Sequence, residues 1–170
     1  MMKHPLAAQC RIQTPLGPMT LAATHAGLAG AWFDQQSHHP GTIDAPADPG
    51  QRWLQQAASQ LSAYFAGSLL QFSLPLDAAG TPFQQAVWRA LRAIGHGQTT
   101  DYGAIAAALG QPMAARAVGA AVGRNPIGII VPCHRVLGRD GSLTGYAGGL
   151  GRKQALLELE GALPMLPQSA

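Results

Sequence analysis

One tetrapeptide of this chain brings together side chains that could carry out chemistry. Pro132-Cys133-His134-Arg135 follows a hydrophobic run, and Cys133 is one of only two cysteines among 170 residues. A thiol reacts as its thiolate, which forms at neutral pH when a base or a positive charge lies nearby. Most lone cysteines are buried and inert, but the basic neighbours and the Asn125-Pro126 pair upstream favour a reactive thiol. The tetrapeptide therefore predicts a cysteine nucleophile.

His134 and Glu160 are the candidate partners of this thiol. Sequence neighbours on an extended strand point to opposite faces, so His134 contacts Cys133 directly only if the chain bends there. Otherwise the imidazole acts through a bridging water. Glu160, at the end of the last predicted helix, could orient the imidazole and complete a Cys–His–Glu relay. Taken alone, a carboxylate at such a position is more often a solvated surface group.

Two tyrosines are candidates for contacting a flat ligand. Tyr102 begins a predicted helix, and Tyr146 lies in the glycine-rich strip Gly145-Tyr146-Ala147-Gly148-Gly149. Glycines allow the backbone to approach a ligand closely, and a tyrosine among them could stack on a ring or donate its hydroxyl. The alternative is a core aromatic side chain beside a flexible turn.

The pattern of the first 80 residues predicts a β-rich unit with one helix. Turn signals separate apolar or alternating runs that predict strands over residues 8–13, 19–23 and 28–33. A polar, proline-containing loop over 37–50 precedes a helix that begins near Trp53 and ends at Gly67. One more strand is predicted over 72–76, at a sheet edge because it contains a proline.

From Thr81 onwards the pattern is helical. Thr81-Pro82-Phe83-Gln84 is a capping box with proline at the first helical position. A helix over 102–109 and another from Pro112 to about Val122 have the lengths and the tight connection of a helix-turn-helix. A last helix is predicted over 151–160.

The second helix of this pair consists almost entirely of small residues around a single arginine, Arg116. Alanine favours helix, so one interpretation is a tightly packed core helix. The other is that small side chains let the helix lie against a nucleic-acid groove while Arg116 projects into it. Major-groove readers usually carry several polar side chains on this helix. The pattern therefore suits sequence-independent binding through shape and phosphates.

Charge is distributed unevenly along the chain. Residues 1–80 carry three basic and four acidic side chains, whereas residues 81–170 carry eight basic and four acidic ones. The second half is therefore the candidate for a polyanionic partner, although charge alone is also consistent with a solvated basic face. Two distant cysteines make no disulfide framework, and no apolar run is long enough for a signal peptide or a membrane span. A cytoplasmic protein is predicted.

Together these motifs closely resemble those of the O6-alkylguanine-DNA alkyltransferases, also called methylated-DNA–protein-cysteine methyltransferases. The ordered stretches that carry the resemblance are Thr81-Pro82-Phe83-Gln84 with Val87-Trp88, Tyr102-Gly103-Ala104-Ile105-Ala106, Ala115-Arg116-Ala117-Val118-Gly119, Asn125-Pro126, Ile130-Val131-Pro132-Cys133-His134-Arg135-Val136 and Gly145-Tyr146-Ala147-Gly148-Gly149. They cover roughly residues 81–161. The first 80 residues match only in length, in layout and at Tyr64-Phe65-Ala66-Gly67.

The resemblance implies an α+β fold with two domains. These are an N-terminal α/β domain resembling ribonuclease H (1–76) and a helical, winged-helix-type DNA-binding domain (81–165). A linker (77–80) joins them, and a tail (166–170) follows the second. Some relatives bind a structural zinc ion through Cys and His in the N-terminal domain. Cys10 is the only cysteine in that part of this chain, so no metal is expected, and His38-His39 is interpreted as a loop pair.

The resemblance also implies direct-reversal DNA repair without a cofactor. The protein would bind duplex DNA largely without sequence specificity and flip out an alkylated guanine, since the reacting atom is otherwise inside the stack. Cys133 would accept the O6-alkyl group as a thioether, which has no easy hydrolysis path, so each molecule would act once. O4-alkylthymine would be a lesser substrate. A monomer is expected, and cooperative binding to DNA is left open.

Roles for individual residues follow from the same resemblance. His134 would be a water-mediated base supported by Glu160, and Asn125 would hold the turn that presents the cysteine. Tyr102 would rotate the nucleotide and donate a proton to the leaving guanine, while Arg116 would fill the gap in the duplex. The other expected DNA contacts are Ala114, Ala115, Ala117, Gly119, Arg124 and Arg135. The expected lining of the guanine pocket is Tyr146, Val136, Ala147 and Gly148.

Two other functions remain open at this point. A damage sensor that binds alkylated bases without repairing them would resemble the same family, but such proteins lack the cysteine, so Cys133 argues against this function. A Cys–His hydrolase or acyltransferase would use Cys133, His134 and Glu160 as a triad. The helix-turn-helix pattern and the basic second half argue against it.

Overall fold

The N-terminal part of the chain forms a three-stranded antiparallel sheet. The computed structural model describes residues 4–163, so the predicted tail lies outside the described residues. The strands are β1 (Ala8–Ile12), β2 (Met19–Ala23) and β3 (Leu28–Phe33), in that order across the sheet. The register pairs Leu21 of β2 with Cys10 on one side and Ala31 on the other.

One helix, α1 (Arg52–Phe65), packs against this sheet. Its buried positions Leu54, Ala57, Leu61 and Tyr64 repeat at helical spacing and form one apolar face. The side chain of Gln51 accepts hydrogen bonds from the first-turn amides and so caps the helix. The helix places Tyr64 at the boundary with the second half of the chain.

The strand predicted over residues 72–76 does not form. Leu76 makes only an isolated parallel bridge with Leu28, whose N–H donates to the carbonyl oxygen of Pro75. Pro75 has no N–H to give to a ladder. Because of this, the segment stays irregular and continues into the connection to the second half.

The second half is helical. Its helices are α2 (Pro82–Arg92), α3 (Tyr102–Ala108), α4 (Ala115–Gly123) and α5 (Leu150–Leu159), and its parallel strand pair is β4 (Thr100–Asp101) with β5 (Val136–Leu137). The capping box at Thr81 and Gln84 is present. The second helix of the pair begins at Ala115 rather than at Pro112, because the N–H of Ala114 bonds to the carbonyl of Gln111 and closes a turn there.

Both halves share one hydrophobic core. The prediction of an α+β chain with an N-terminal sheet and a C-terminal helical part is confirmed. Of the helices in the described range 4–163, none combines the length and apolarity that crossing a membrane requires.

Candidate active site

The segment that leads to Cys133 is anchored to the N-terminal sheet. The N–H of Ala31 in β3 donates to the carbonyl of Pro126 at 2.8 Å, and the N–H of Gly128 donates to the carbonyl of Ala31 at 3.0 Å. Ile129 then adopts φ 70, a left-handed conformation that a β-branched residue rarely takes. Cys133 begins a short 3₁₀ turn, Cys133–Arg135, so the chain bends at the position where an extended strand would separate Cys133 from His134.

Asn125 holds this turn and also contacts the sulfur. Its Nδ2 donates to the carbonyl of Val131 at 2.8 Å and to Cys133 Sγ at 3.1 Å, and its Oδ1 accepts the N–H of Ile127 at 3.0 Å. Burial raises the pKa of Cys133, whereas the hydrogen bond from Asn125 and the positive charge of Lys153 lower it. These two groups therefore favour the thiolate inside an apolar site.

His134 is buried and bonded to Glu160, with 2.7 Å between His134 Nε2 and Glu160 Oε2. Burial lowers the pKa of His134, so the ring is neutral and its Nε2–H donates to the carboxylate. Nδ1 has no hydrogen-bond partner among the described residues. In that part of the chain it is the one buried side-chain nitrogen or oxygen atom that lacks a partner. The ring therefore offers a lone pair for proton transfer.

Glu160 is a buried ion-pair centre rather than a solvated group. Besides His134, its carboxylate accepts the hydroxyl of Tyr64 at 2.6 Å and two guanidinium N–H groups of Arg135 at 2.8 and 2.9 Å. Burial by itself raises the pKa of Glu160, but the hydrogen bonds from His134, Arg135 and Tyr64 outweigh it and hold this pKa well below its usual range. The carboxylate stays ionised and can stabilise a positive imidazole.

The predicted DNA contact by Arg135 is wrong in this fold. Arg135 is only 6% exposed, and its guanidinium also donates to the carbonyl of Ile94 at 2.6 Å. Its donors are used in holding Glu160 and the backbone before β4. Sequence reasoning also missed Tyr64 as a partner of Glu160, because 96 residues separate the two and no local pattern links them.

A cavity of about 300 Å³ opens at Cys133. The side chains and backbone that line it are those of Ser37, His38, Tyr102, Gly119, Val122, Gly123, Cys133, Gly145, Tyr146 and Ala147. Of the four residues expected in the guanine pocket, Tyr146 and Ala147 are in its wall. Val136 and Gly148 are not among the lining residues: Val136 is buried in β5, and Gly148 is buried close to the ring of Tyr146.

Lys153 and Thr144 support this cavity and were not predicted. Lys153 is fully buried, and its Nζ donates to the carbonyl of Thr144 at 2.9 Å. The Thr144 hydroxyl lies 3.1 Å from the hydroxyl of Tyr102. Burial lowers the pKa of Lys153 to about 8, against the opposing influence of Cys133. The sequence did carry a signal for the burial of Lys153, because its spacing of three and four residues from Leu156 and Leu157 places all three on one face of α5.

The predicted DNA-contacting residues of α4 and its surroundings are exposed or half-buried, and one of them, Gly119, lines the cavity. Arg116, Ala117 and Arg124 are exposed, whereas Ala114, Ala115 and Gly119 are half-buried. A Cβ added to Gly119 would stand 3.7 Å from the Tyr102 ring, so Tyr102 lies close against α4. Over residues 4–163 no cluster of three or more His, Cys, Asp or Glu side chains could hold a metal ion.

Comparisons with known proteins agree with this layout. Residues 82–162 match the family model for the DNA binding domain of 6-O-methylguanine DNA methyltransferase, and residues 11–78 match the one for its ribonuclease-like domain. A methylated-DNA–protein-cysteine methyltransferase of Mycobacterium tuberculosis is 52% identical over 149 residues, which is 88% of this chain and 89% of that protein. A Methanosarcina barkeri relative of the same name is 48% identical, covering 88% of this chain and 94% of that protein. The crystal structure of Mycobacterium tuberculosis OGT in complex with DNA superposes with a TM-score of 0.86 at 49% identity, over 92% of this chain and 94% of that one.

Proposed function

This chain belongs to the 6-O-methylguanine DNA methyltransferase family, and from that premise we propose that Cys133 is its alkyl acceptor. The protein is a DNA-repair methyltransferase that acts by direct reversal, moving the alkyl group of O6-alkylguanine in duplex DNA onto its own cysteine. The observation that supports Cys133 is its place in the wall of the cavity, with Asn125 Nδ2 3.1 Å from its sulfur. Cys10 is buried in β1 and is not among the cavity residues.

The reaction begins with proton removal from the thiol. The proton passes through one water to Nδ1 of His134, the imidazole becomes positive, and ionised Glu160 stabilises it. The thiolate then attacks the alkyl carbon in line with the carbon–oxygen bond. The S–C bond forms, the C–O bond breaks, and the electron pair passes to guanine, which takes a proton from the hydroxyl of Tyr102. Thr144 holds that hydroxyl at 3.1 Å.

Incubation with duplex DNA that carries labelled O6-methylguanine tests this function. We expect one label at most to transfer per protein molecule, with unmodified guanine left in the DNA. Repeated turnover by one molecule would contradict the irreversible thioether. Cleavage of ester or peptide substrates without DNA binding would instead favour the hydrolase alternative.

The base-flipping role of Arg116 gives a second prediction. In Arg116→Ala, the flipped fraction of a lesion base should fall roughly tenfold. The variant has no guanidinium to stack in the gap that the flipped base leaves in the duplex. Overall DNA affinity should fall less, since other basic groups still contact phosphates. A fluorescent base analogue at the lesion reports unstacking.

Arg52→Ala is the matched control for this experiment, because Arg52 is an exposed arginine on α1, in the other half of the chain. It should leave flipping unchanged. Normal unstacking by Arg116→Ala would remove Arg116 from the mechanism.

Lys153 gives a prediction on pH dependence. In Lys153→Met the positive charge near Cys133 is lost, so the pKa of the thiol rises and the rate of alkyl transfer should reach its plateau only at a higher pH. Lys153→Arg keeps the charge and should stay closer to the unmodified profile. Single-turnover transfer rates measured from pH 6 to 10 would check this, and superimposable profiles for Met and Arg would contradict it.

Further proposals concern the domain boundaries, the cellular location and a second substrate. Residues 1–76 and 81–165 would be the two domains, in agreement with the family matches over 11–78 and 82–162. A cytoplasmic location would keep the Cys133 thiol reduced. O4-alkylthymine would be a slower substrate, because it presents the same kind of alkyl carbon on a smaller ring.

A further inference from the structure

One wall of the cavity around Cys133 comes from the N-terminal half of the chain. Ser37 and His38 follow β3, and they line the same cavity as Cys133 and Tyr146. The other lining residues all lie beyond residue 101 in the sequence. Two segments that are distant in the sequence therefore form the wall of the reaction site.

The N-terminal wall is tied directly to the glycine-rich strip on the other side. The N–H of Ser37 donates to the carbonyl of Ala147 at 2.9 Å. Arg152 also donates to the carbonyl of Leu16 at 2.9 Å and to that of Gly148 at 3.1 Å, which ties the turn between β1 and β2 to the same strip. The loop with His38 is thus held against the strip that carries Tyr146.

The backbone of His38 is held in an uncommon conformation. Its φ is 60, in the left-handed region where histidine is one of the enriched non-glycine residues. On either side, the N–H of Phe33 donates to the Oε1 of Gln36 at 2.9 Å, and the N–H of His39 donates to the carbonyl of Gln36 at 3.3 Å. These bonds fix the point from which the imidazole extends.

His38 differs from the other large side chains of the cavity wall. Tyr102, Val122 and Tyr146 are buried or half-buried parts of the C-terminal half, whereas His38 is exposed. At about 300 Å³ the cavity is at the small end of ligand pockets, so one wall side chain matters for what fits. The carbon that Cys133 attacks must reach the sulfur, so a larger group on that carbon takes up more of the cavity that His38 helps to line.

We propose that His38 is a specificity-determining residue, which limits the size of the O6 substituent that the cavity accepts. This inference rests on the proposed role of Cys133. It also gives the N-terminal half a part in substrate choice, because His38 belongs to the loop that follows β3 and not to the DNA-binding half.

Two variants at this position change the bulk in opposite directions. His38→Asn shortens the side chain and tolerates a positive φ, and His38→Trp enlarges it. Single-turnover rates are measured on duplexes that carry either O6-methylguanine or O6-benzylguanine. The benzyl-to-methyl rate ratio should rise about tenfold in His38→Asn, the scale of a small change in an apolar pocket, and should fall below that of the unmodified protein in His38→Trp. His25→Asn, in the exposed turn between β2 and β3, is the control and should keep the ratio.

An unchanged ratio in both variants would overturn the proposal. A parallel loss of both rates together with DNA affinity would also overturn it, and would identify His38 as a contact to DNA instead. Failure of the proposed function looks different, because the unmodified protein would then transfer no alkyl group to Cys133 from either duplex.

Discussion

Cys133→Ser is expected to eliminate alkyl transfer while the protein still binds and recognises DNA. A serine hydroxyl is far less acidic than a thiol and is a poor nucleophile towards an alkyl carbon. The loss should be on the order of 10⁶-fold, the scale seen when a catalytic nucleophile is removed. The substitution is nearly isosteric, and Asn125 can donate to the new oxygen as it does to Cys133 Sγ, so the 3₁₀ turn should persist.

Intact-protein and peptide mass spectrometry after reaction with O6-methylguanine DNA would check this result. The unmodified protein should gain one methyl group on the peptide that contains Cys133, and Cys133→Ser should gain none. Cys10→Ser is the matched control, because the other cysteine is buried in β1 and should leave the yield unchanged. A methyl adduct on any other residue of Cys133→Ser would assign the chemistry elsewhere.

Local patterns were sufficient for most elements of the fold. The three N-terminal strands and the capping box at Thr81 depend on alternation and on neighbouring side chains, and both appear as predicted. The predicted strand over 72–76 does not form, because a β-ladder requires a partner strand as well as a suitable composition. The predicted start of α4 at Pro112 was wrong, because proline is compatible with the first turn of a helix but does not require a helix to begin there.

The relay of Cys133, His134 and Glu160 was predicted from the sequence, but the side chains that hold Glu160 in place were not. Cys133 and His134 are neighbours, whereas the proton-relay partner Glu160 is held by Tyr64 from the N-terminal half. Arg135 was expected to contact DNA because the family resemblance implied it. Its burial follows from a long-range ion pair that no periodicity reveals.

Besides the β3 contacts to the segment before Cys133, the N-terminal half makes two further contacts near the reaction site. Tyr64 donates to the Glu160 carboxylate behind His134, and Ser37 holds the glycine-rich strip in front of Cys133. These contacts approach the site from different elements, α1 and the loop after β3. The small sheet domain is therefore part of the site's architecture.

Glu160→Gln should impair both stability and reaction. The neutral amide leaves the buried guanidinium of Arg135 without a charge partner, and breaking such a pair costs about 3–5 kcal/mol of unfolding free energy. The amide also no longer stabilises a positive His134 or selects the tautomer with a free Nδ1. Loss of the equivalent carboxylate in other relays lowers rates about 10⁴-fold. Urea unfolding and single-turnover transfer measure the two effects separately.

The pH dependence of stability offers an independent check on the same residue. Because the pKa of Glu160 is lowered on folding, its contribution is fully present above the unfolded-state pKa of about 4.3. It is lost as the pH falls below that value towards the folded-state pKa. The unmodified protein should therefore lose unfolding free energy between pH 5 and 3 more steeply than Glu160→Gln.

Glu158→Gln is the control on α5, since Glu158 is half-buried and bonded only to Gln154 among the described contacts. Its unfolding free energy should change by about 0.5 kcal/mol or less. If Glu160→Gln instead unfolded at the same urea concentration as the unmodified protein and kept its transfer rate, Glu160 would have no part in the relay.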